Sequence, residues 1–327
     1  MPTNAHSLNP CAFGRVQVQI VTYNSQDYID RCIQSVLRQT YPSVSLLIID
    51  NASQDRTLSR LAAYPSIKLH AFETNIGYAA AHNFGFAKAV EDDIAFVLTL
   101  NPDIELDPIY LERTLTIMTD KAIGGVTGKL LRNRNKSETA VDCLLDSTGL
   151  VMGLLYHARD RGSGQVDMSQ YDRLTNVWGI CGAAAVYRIA MLKDLAPAGG
   201  QALEELFFVY KEDVDLCWQA NRLGWRFAYE SKALAYHERG WKDGRTPVSW
   251  RAKEHSLANQ VAILIRHGRI FSPILWISII AECVRISALA LQRPSSAQKT
   301  LHLIMSQFRH HVHFRHFIRK RIRSRKE

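Results

Sequence analysis

The amino-acid sequence predicts an α/β fold with a more mixed second half and a helical C-terminal extension. Short β-rich runs alternate with helical patterns, two of the runs are almost wholly apolar, and the predicted strands end in polar residues. Alternation of this kind is typical of a sheet covered by helices, in which buried parallel strands are apolar on both faces. Ligands of such sheets bind at the carboxyl ends of the strands.

The first half is predicted to hold four strands and two helices. The strands are Val16–Thr22, Val44–Asp50, Ile67–Phe72 and Ile94–Leu100. The first helix follows from the apolar residues Ile29, Cys32, Ile33, Val36 and Leu37, which fall at helical spacing before Pro42. The second helix spans Tyr78–Val90. This arrangement predicts that Thr22, Asp50 and Asn101 lie at the ligand-binding edge of the sheet.

The second half is harder to assign because its apolar periods are short. The stretch Val177–Tyr187 is compatible with a strand or a buried helix, since its glycines and alanines blur the period. A helix is predicted at Lys211–Leu223, with Gly224 as its stop. Short strands are predicted around Phe227 and at Ala233–Tyr236.

Beyond Trp250 the pattern becomes helical and includes a long apolar run, Phe271–Leu291. The run is long enough to cross a bilayer, but Glu282 and Arg285 interrupt it. These two residues are three positions apart and can pair on one helix face. We expect an amphipathic or in-plane helix rather than a single membrane span.

Most of the net charge of +9 comes from the last residues of the 327-residue chain. The segment from Arg309 to Glu327 carries eight Lys or Arg and one acid, so the remaining body is nearly neutral. A basic tail on a neutral body suits anionic lipid headgroups at least as well as nucleic acid. The body lacks interleaved aromatic and basic residues, which disfavours a nucleic-acid-binding protein.

The cysteines and the N-terminus indicate a cytoplasmic location. The six cysteines show no CxxC spacing, which favours buried thiols in a reducing compartment. The first residues contain no basic start followed by an apolar run, so no secretory signal is expected.

Polar segments at predicted strand ends are candidates for binding a nucleotide. The loop Val21–Asn24 lies between a strand and a helix, where backbone groups can cradle a ligand. Asp50 either accepts hydrogen bonds from a base or ribose, or caps a turn together with Ser53. Small residues after Asn75 and Gly77 let the backbone approach a phosphate, or let the helix pack tightly against the sheet.

Acidic residues in two further segments are candidates for cation binding and catalysis. Asp103 follows the fourth strand and offers the oxygen ligand that a hard divalent cation prefers, although Asn-Pro-Asp is also a frequent turn. Glu212, Asp213 and Asp215 lie together at a helix start. Helix capping explains one or two of these acids but does not require all three, so one of them is a candidate general base. His237 follows a strand and is either structural or a metal ligand.

Taken in order, these segments resemble the family-2 glycosyltransferases, and within them the rhamnosyltransferase-like branch. The matching motifs are VTYN, IDNASQD, NIGYAAAHNFG, LNPD, GICGAAAVYR, EDVDLCW and AYHERGW, which together extend from Val16 to Trp241. Each motif is weak by itself, whereas their joint order and spacing are specific.

The resemblance implies a GT-A-type fold, with a Rossmann-like mixed sheet flanked by helices. It predicts an N-terminal extension at 1–14 and a catalytic domain at 15–250, composed of a nucleotide half at 15–103 and an acceptor half at 104–250. Residues 251–327 form the helical, basic region expected to associate with a membrane.

The resemblance also implies a role for each candidate residue. The nucleotide-binding residues are Thr22, Tyr23, Asn24, Asp50 and Asn51, with Asn75, Gly77 and Asn83 bordering the diphosphate. Asp103 and His237 hold the metal. Asp213 is the base, and Glu212 or Asp215 orients the acceptor. The acceptor-binding residues are Trp178, Gly182, Ala183 and Trp241.

The activity implied is inverting transfer of a sugar, with L-rhamnose from dTDP-rhamnose as the expected donor group and Mg²⁺ or Mn²⁺ as the cofactor. The acceptor is a hydroxyl of a lipid-linked or polysaccharide glycan at the inner face of the cell membrane, as in bacterial cell-envelope synthesis. Two positions depart from the family pattern. Asn101 stands where many members have an aspartate, and Gln219 where arginine is frequent.

Three alternatives remain open. A UDP-hexose or UDP-N-acetylhexosamine donor fits the same motifs. A basic nucleic-acid- or membrane-binding protein without catalysis and a silent membrane scaffold are more distant. The transferase hypothesis requires that Asp50, Asp103, Asp213 and His237 converge on one cleft.

Overall fold

The computed structural model describes residues 13–132, 143–173, 175–196, 201–238 and 249–325. The strands are β1 (Val16–Thr22), β2 (Val44–Asp50), β3 (Lys68–Ala71), β4 (Phe96–Leu100), β5 (Ile104–Leu106), β6 (Ile123–Arg132), β7 (Leu145–Ser147), β8 (Leu150–Met152), β9 (Ala158–Asp160), β10 (Asn176–Val177), β11 (Ala184–Arg188) and β12 (Arg226–His237). The helices are α1 (Ile29–Leu37), α2 (Thr57–Leu61), α3 (Tyr78–Glu91), α4 (Tyr110–Ile117), α5 (Ile189–Leu195), α6 (Glu212–Arg222), α7 (Trp250–His267), α8 (Pro273–Gln292) and α9 (Pro294–Ser324).

A mixed sheet forms the centre of the fold, in the strand order β10-β12-β6-β11-β4-β1-β2-β3. The first-half strands β4, β1, β2 and β3 are all parallel neighbours. In the second half, β11 is antiparallel to β4 and β6, whereas β12 runs parallel to β6. This confirms the predicted α/β class and mixed sheet. Strands β1 and β2 have the predicted bounds, and every residue of β1 is buried, including Gln17 and Gln19.

The structure decides between the two interpretations of Val177–Tyr187. Only its ends are strands, β10 and β11, and residues 178–183 form the connection between them. The two short strands predicted near Phe227 and Ala233 are one long strand, β12, whose register shifts between Glu230 and Leu234. The polar residues at this irregularity interrupt the apolar pattern, so the sequence predicted a loop between two strands.

Helix α6 begins one residue later than predicted, and the residue before it has an unusual backbone conformation. Lys211 has a φ of 72°, and Phe208 and Tyr210 in the preceding loop have φ of 58° and 69°. Positive φ is uncommon outside glycine and marks a backbone held in place by its surroundings. The loop 208–211 is therefore shaped by contacts from other elements.

Helices α7, α8 and α9 pack against one another beyond the sheet. Helix α8 buries one stripe, Leu275, Ser278 and Glu282. Glu282 is paired with Arg285, as predicted, with Oε1 and Nη1 2.9 Å apart. The same carboxylate oxygen lies 2.8 Å from Nε2 of His157, which ties α8 to the β8–β9 turn.

The other faces of α8 are apolar and exposed. The large apolar side chains exposed on α8 are Ile274, Trp276, Ile277, Ile280, Val284 and Leu291. Within the described ranges, α8 is the one helix long and apolar enough to cross a bilayer. Cys32 and Cys217 are buried, as predicted, but Cys283 of α8 is exposed.

Candidate active site

A cavity of about 930 Å³ lies at the carboxyl ends of β1, β2 and β4. The residues singled out from the sequence that line it are Tyr23, Asn51, Asn75, Asn101, Asp103, Gly182, Ala183, Glu212, Asp213 and His237. Residues from both halves of the sheet thus meet in one space. Of the four residues required to converge, Asp103, Asp213 and His237 do so.

Asp103 and His237 lie side by side because β5 and β12 are paired. His237 is opposite Ile104 in this antiparallel ladder, and its Nε2 is 3.3 Å from Oδ1 of Asp103. Its Nδ1 is 2.8 Å from Oδ2 of the fully buried Asp146. Burial lowers the pKa of His237, but hydrogen bonds to Asp103 and Asp146 outweigh it and raise the pKa to about 9.

This pair fits a divalent cation. With Nδ1 bonded to Asp146, Nε2 of His237 is the nitrogen that faces Asp103. A carboxylate oxygen beside an imidazole nitrogen is a donor set used for divalent transition metals, and a buried carboxylate behind the histidine is the usual outer partner. Asp146 was not predicted from the sequence, because nothing in its local pattern points to the site.

Glu212, which is buried, and Asp213, which is partly buried, also line the cavity, side by side at the start of α6. Gly182 N–H donates to Oδ2 of Asp213 over 3.1 Å, and Val214 N–H donates to Oδ1 over 2.7 Å. Burial raises the pKa of Asp213 above its ordinary value. Burial, together with the charge of Asp213, raises the pKa of Glu212 to about 8. A carboxylate with a raised pKa is a stronger base than one in water.

Asp50 does not line the cavity and lies directly behind its wall. Its carboxylate accepts hydrogen bonds from the hydroxyls of Thr22 and Ser53, at 2.8 and 2.6 Å, and from the Ser53 N–H. Both Asp50 and Thr22 are fully buried. In this structure the two side chains support the loop, as the turn-capping interpretation of Asp50 describes, and their role in binding a nucleotide stays a prediction.

Three other predicted nucleotide residues also lie outside the lining. Asn24 accepts the Gln54 N–H and so joins two loops. Asn83 donates to the Leu203 carbonyl and accepts the Leu203 N–H. Gly77 begins α3 with a φ of 93°, and a Cβ there would lie 2.6 Å from the Phe208 ring. Asn83 and Gly77 therefore hold the chain segments around the cavity in place and do not form part of its surface.

The sequence predicted that Glu212 or Asp215 orients the acceptor; Glu212 lines the cavity, whereas Asp215 does not, which corrects the placement of Asp215. Its carboxylate is fully buried on the far side of α6, where Arg266 binds both oxygens at 2.8 Å. His267 Nε2 lies 2.6 Å from Oδ1. Although burial opposes it, Arg266 and His267 hold the pKa of Asp215 well below its usual range.

Some of the predicted acceptor-binding residues line the cavity and others do not. Gly182 and Ala183 line the cavity. Trp178 does not, and its ring packs 5.5 Å from that of Trp218. Trp241 lies outside the described residues.

Several residues of the cavity were missed from the sequence. Tyr78, Asp160, Lys211 and Arg251 belong to its lining. Asn259 of α7 lies behind it and donates to the carbonyls of Phe207, Val209 and Tyr210, at 2.8, 3.0 and 2.8 Å. A lone buried asparagine on a helix gives no signal in a single sequence, because its partners are distant in the chain.

A second group of metal-ligand types occurs away from the cavity. Ligand atoms of Glu204, His310 and His311 lie within 4.8 Å of one another. However, Arg266 Nη1 lies 2.6 Å from Oε2 of Glu204, so the carboxylate is already paired with a cation. Burial, together with Arg266, lowers the pKa of His311 to about 4. A positive guanidinium beside the group opposes metal binding.

The chain is similar to known proteins along most of its length. An L-rhamnosyltransferase of Mycobacterium tuberculosis, named for an N-acetylglucosaminyl-diphospho-decaprenol substrate, is 25% identical over 79% of this chain and 87% of its own.

Two solved structures share the fold. TarS of S. aureus in complex with UDP-GlcNAc has a TM-score of 0.51 at 19% identity, over 77% of this chain and 66% of TarS. GalNAc-T7 with UDP, GalNAc and Mn²⁺ has a TM-score of 0.56 at 14% identity, over 77% of this chain and 48% of its own.

The family model described as Glycosyl transferase family 2 matches residues 17–195. This span covers more than half of the chain and includes the four parallel strands, the metal-binding candidate Asp103, and Gly182 beside Asp213. The chain belongs to glycosyl transferase family 2.

Proposed function

We propose that this transferase moves L-rhamnose from dTDP-rhamnose, with inversion, onto a hydroxyl of a glycan carried by a lipid diphosphate. The work would take place on the inner face of a bacterial cell membrane, in cell-envelope glycan synthesis. The mycobacterial relative aligns with 79% of this chain, and its name gives L-rhamnose as the transferred sugar and a lipid diphosphate as the carrier of the acceptor. Both support this choice of donor sugar and acceptor.

The observation that carries the transferase chemistry is the shared cavity of Asp103, His237 and Asp213. Departure of a nucleoside diphosphate needs positive charge near the leaving phosphates, and attack by a hydroxyl needs a base. The Asp103–His237 pair and the carboxylates of Glu212 and Asp213 would supply these two requirements within one space.

In this mechanism Asp213 is the base. Its carboxylate takes the proton of the acceptor hydroxyl while the hydroxyl oxygen forms a bond to the anomeric carbon. The bond from that carbon to the diphosphate breaks in the same displacement, so the configuration inverts and no enzyme nucleophile is required. The N–H groups of Gly182 and Val214 hold the Asp213 oxygens in place.

Asp103 and His237 are the residues that would hold a divalent cation, Mg²⁺ or Mn²⁺, with Asp146 behind the histidine. When bound, the cation neutralises charge on the leaving diphosphate. Asn51 and Asn75 remain candidates for nucleotide and diphosphate contacts, because both line the cavity.

Membrane association would come from α8 and the basic end of α9. Glu282 fixes one stripe of α8 to the rest of the protein, through His157 and Arg285, which favours a helix lying in the plane of the membrane. The outward apolar face of α8 matches the apolar layer of a bilayer surface, and the basic residues near the end of α9 match its anionic layer, although Arg321 and Arg325 also pair with Asp194.

A donor panel tests the proposal. Purified protein is incubated with dTDP-rhamnose, UDP-glucose or UDP-N-acetylglucosamine, an N-acetylglucosaminyl-diphospho-polyprenol acceptor, and Mg²⁺ or Mn²⁺. We expect transfer from dTDP-rhamnose, and the anomeric configuration of the product, read by NMR, should be opposite to that of the donor. Transfer only from a UDP sugar would replace the donor assignment, and a product that retains configuration would overturn the mechanism.

A further inference from the structure

A second cavity, of about 1030 Å³, lies next to the first. It is formed by the start of α7, the end of α8 and the start of α9. Arg251 belongs to the lining of both cavities, so the two spaces are neighbours at this residue. The guanidinium of Arg251 lies 4.3 Å from the centre of the Phe208 ring, which itself lines the first cavity.

The second cavity carries positive charge that the described protein does not neutralise. Arg251, Arg293 and Lys299 line it, and Glu254 is the one acid among its lining residues. No carboxylate of the described residues forms a salt bridge with any of the three cations. Arg293 is instead held 4.1 Å from the centre of the Trp250 ring, in a cation–π contact.

The remainder of the wall is largely apolar. Ala290, Leu301, Leu303 and Met305 line it, and Leu301 and Met305 are 45% and 75% exposed. Leu291, next to Ala290, is 90% exposed and continues the outward apolar face of α8. A ligand that fits cations and an apolar wall together has an anionic head and a hydrocarbon tail.

We propose that this second cavity binds the diphosphate and the first isoprenoid units of a polyprenyl-diphosphate-linked acceptor. The inference rests on the proposed function, because that function supplies the acceptor class. Arg251, Arg293 and Lys299 contact the diphosphate, and the apolar wall contacts the hydrocarbon chain where it leaves the membrane. The sugar attached to the diphosphate then passes Arg251 and enters the first cavity, where Asp213 lies.

Binding of farnesyl diphosphate to the full chain, measured by calorimetry, tests this site. The variant Arg293→Gln/Lys299→Gln removes two cations, and Arg113→Gln/Lys121→Gln is the matched control, since neither of the latter residues lines either cavity. We expect the first variant to raise the Kd at least tenfold and the control to leave it within twofold. Inorganic diphosphate and farnesol should each bind at least tenfold more weakly than farnesyl diphosphate.

An unchanged Kd in the Arg293→Gln/Lys299→Gln variant would overturn the proposal. Inorganic diphosphate binding as tightly as farnesyl diphosphate would also overturn it, because the apolar wall would then contribute nothing. If the first variant weakens farnesyl diphosphate as expected but no polyprenyl-diphosphate acceptor is glycosylated, the proposed function fails and the site stands. If detergent-solubilised acceptor is glycosylated with the same KM by wild type and variant, the site fails and the function stands.

Discussion

Glu212 and Asp213 are adjacent in the chain but have different surroundings, and this difference suggests different roles. Asp213 receives N–H donors on both oxygens, from Gly182 and Val214. Oε2 of Glu212 is buried and finds no hydrogen-bond partner among the described residues. Asp213 is thus held in one orientation, as a base should be, whereas Glu212 is positioned to contact a bound substrate.

Replacing Asp213 with asparagine tests the base directly. Asparagine keeps the size but cannot take a proton, so we expect kcat to fall roughly 10²–10⁴-fold. The Kd for the nucleotide-sugar donor should change less than threefold. The isosteric control is Asp93→Asn, an exposed acid after α3 that should keep wild-type kcat. Near-normal turnover in the Asp213 variant would remove this residue from the role.

The buried carboxyl of Glu212 predicts a pH dependence of stability. Its pKa is raised to about 8 in the folded protein, against an ordinary value of 4.5. The folded state therefore keeps a proton that the unfolded state releases, so the stabilisation is present below about pH 4.5 and is lost as the pH rises through 8. Between pH 5 and pH 8.5, the melting temperature of Glu212→Gln should fall less than that of the wild type.

The control for this experiment is the exposed Glu73→Gln variant, which should follow the wild-type curve. If Glu212→Gln also follows the wild-type curve, Glu212 is ionised in the folded protein and its proposed environment is wrong.

Single residues also mark the limit of what the sequence could predict. Asp103, His237 and Asp213 were identified because each lies in a motif at the end of a strand or the start of a helix. The role predicted for Asp215 was misplaced because its partner, Arg266, lies far along the chain in a segment without motifs. Asp146 and Asn259 gave no signal for the same reason.

The loop 208–211 connects the acidic helix to the rest of the cavity and depends on α7. Three of its residues have positive φ, and Asn259 holds it through three backbone carbonyls. Asn259→Leu keeps the volume but removes the donor, so we expect a loss of about 1–3 kcal/mol in the free energy of unfolding. We also expect kcat/KM to fall, because Glu212 and Asp213 follow this loop directly.

The matched control for the loop is Gln260→Leu, the next residue of α7, which donates to the Tyr156 carbonyl. It should lose comparable stability in urea unfolding while kcat/KM stays within twofold of wild type. Equal losses of kcat/KM in the two variants would show that Asn259 acts through global stability alone.

The buried ion cluster of Asp215, Arg266 and Glu204 fastens α6 to α7. Arg266→Leu should cost about 3–5 kcal/mol in the free energy of unfolding, because it leaves buried carboxylates without their cation. The double variant Asp215→Leu/Arg266→Leu should recover part of this loss. Urea titration measures both, and a double variant that is less stable than Arg266→Leu would contradict the account.

Length did not decide which whole elements were predicted: the ten-residue strand β6 was missed, because glycines interrupt its apolar run. Strand β2 has the predicted bounds because its run is almost wholly apolar, and β1 has them although Gln17 and Gln19 interrupt its run. Strands β7, β8 and β9 were missed because each has three residues, too few to show a period. The β5–β12 pairing that joins Asp103 to His237 is a tertiary contact, so the sequence predicted both residues but not their geometry.

For the molecule as a whole, the exposed face of α8 predicts adsorption to membranes. The variant Ile277→Ser/Ile280→Ser/Val284→Ser removes apolar surface from the outward face, where these side chains are 53%, 63% and 63% exposed. We expect its sedimentation with anionic liposomes to fall at least fivefold. The comparison variant Leu154→Ser/Val166→Ser/Met168→Ser alters exposed apolar residues elsewhere and should sediment as wild type does. Equal sedimentation of the two variants would exclude α8 as the contact.

The central claim is that Asp103, His237 and Asp213 form one catalytic cavity with a cation on one side. Anomalous diffraction from crystals soaked with Mn²⁺ and the donor nucleotide locates the ion directly. The account predicts a manganese peak in contact with Asp103 and His237, across the cavity from Asp213. A peak at Glu204, His310 and His311, with none at Asp103, would contradict it.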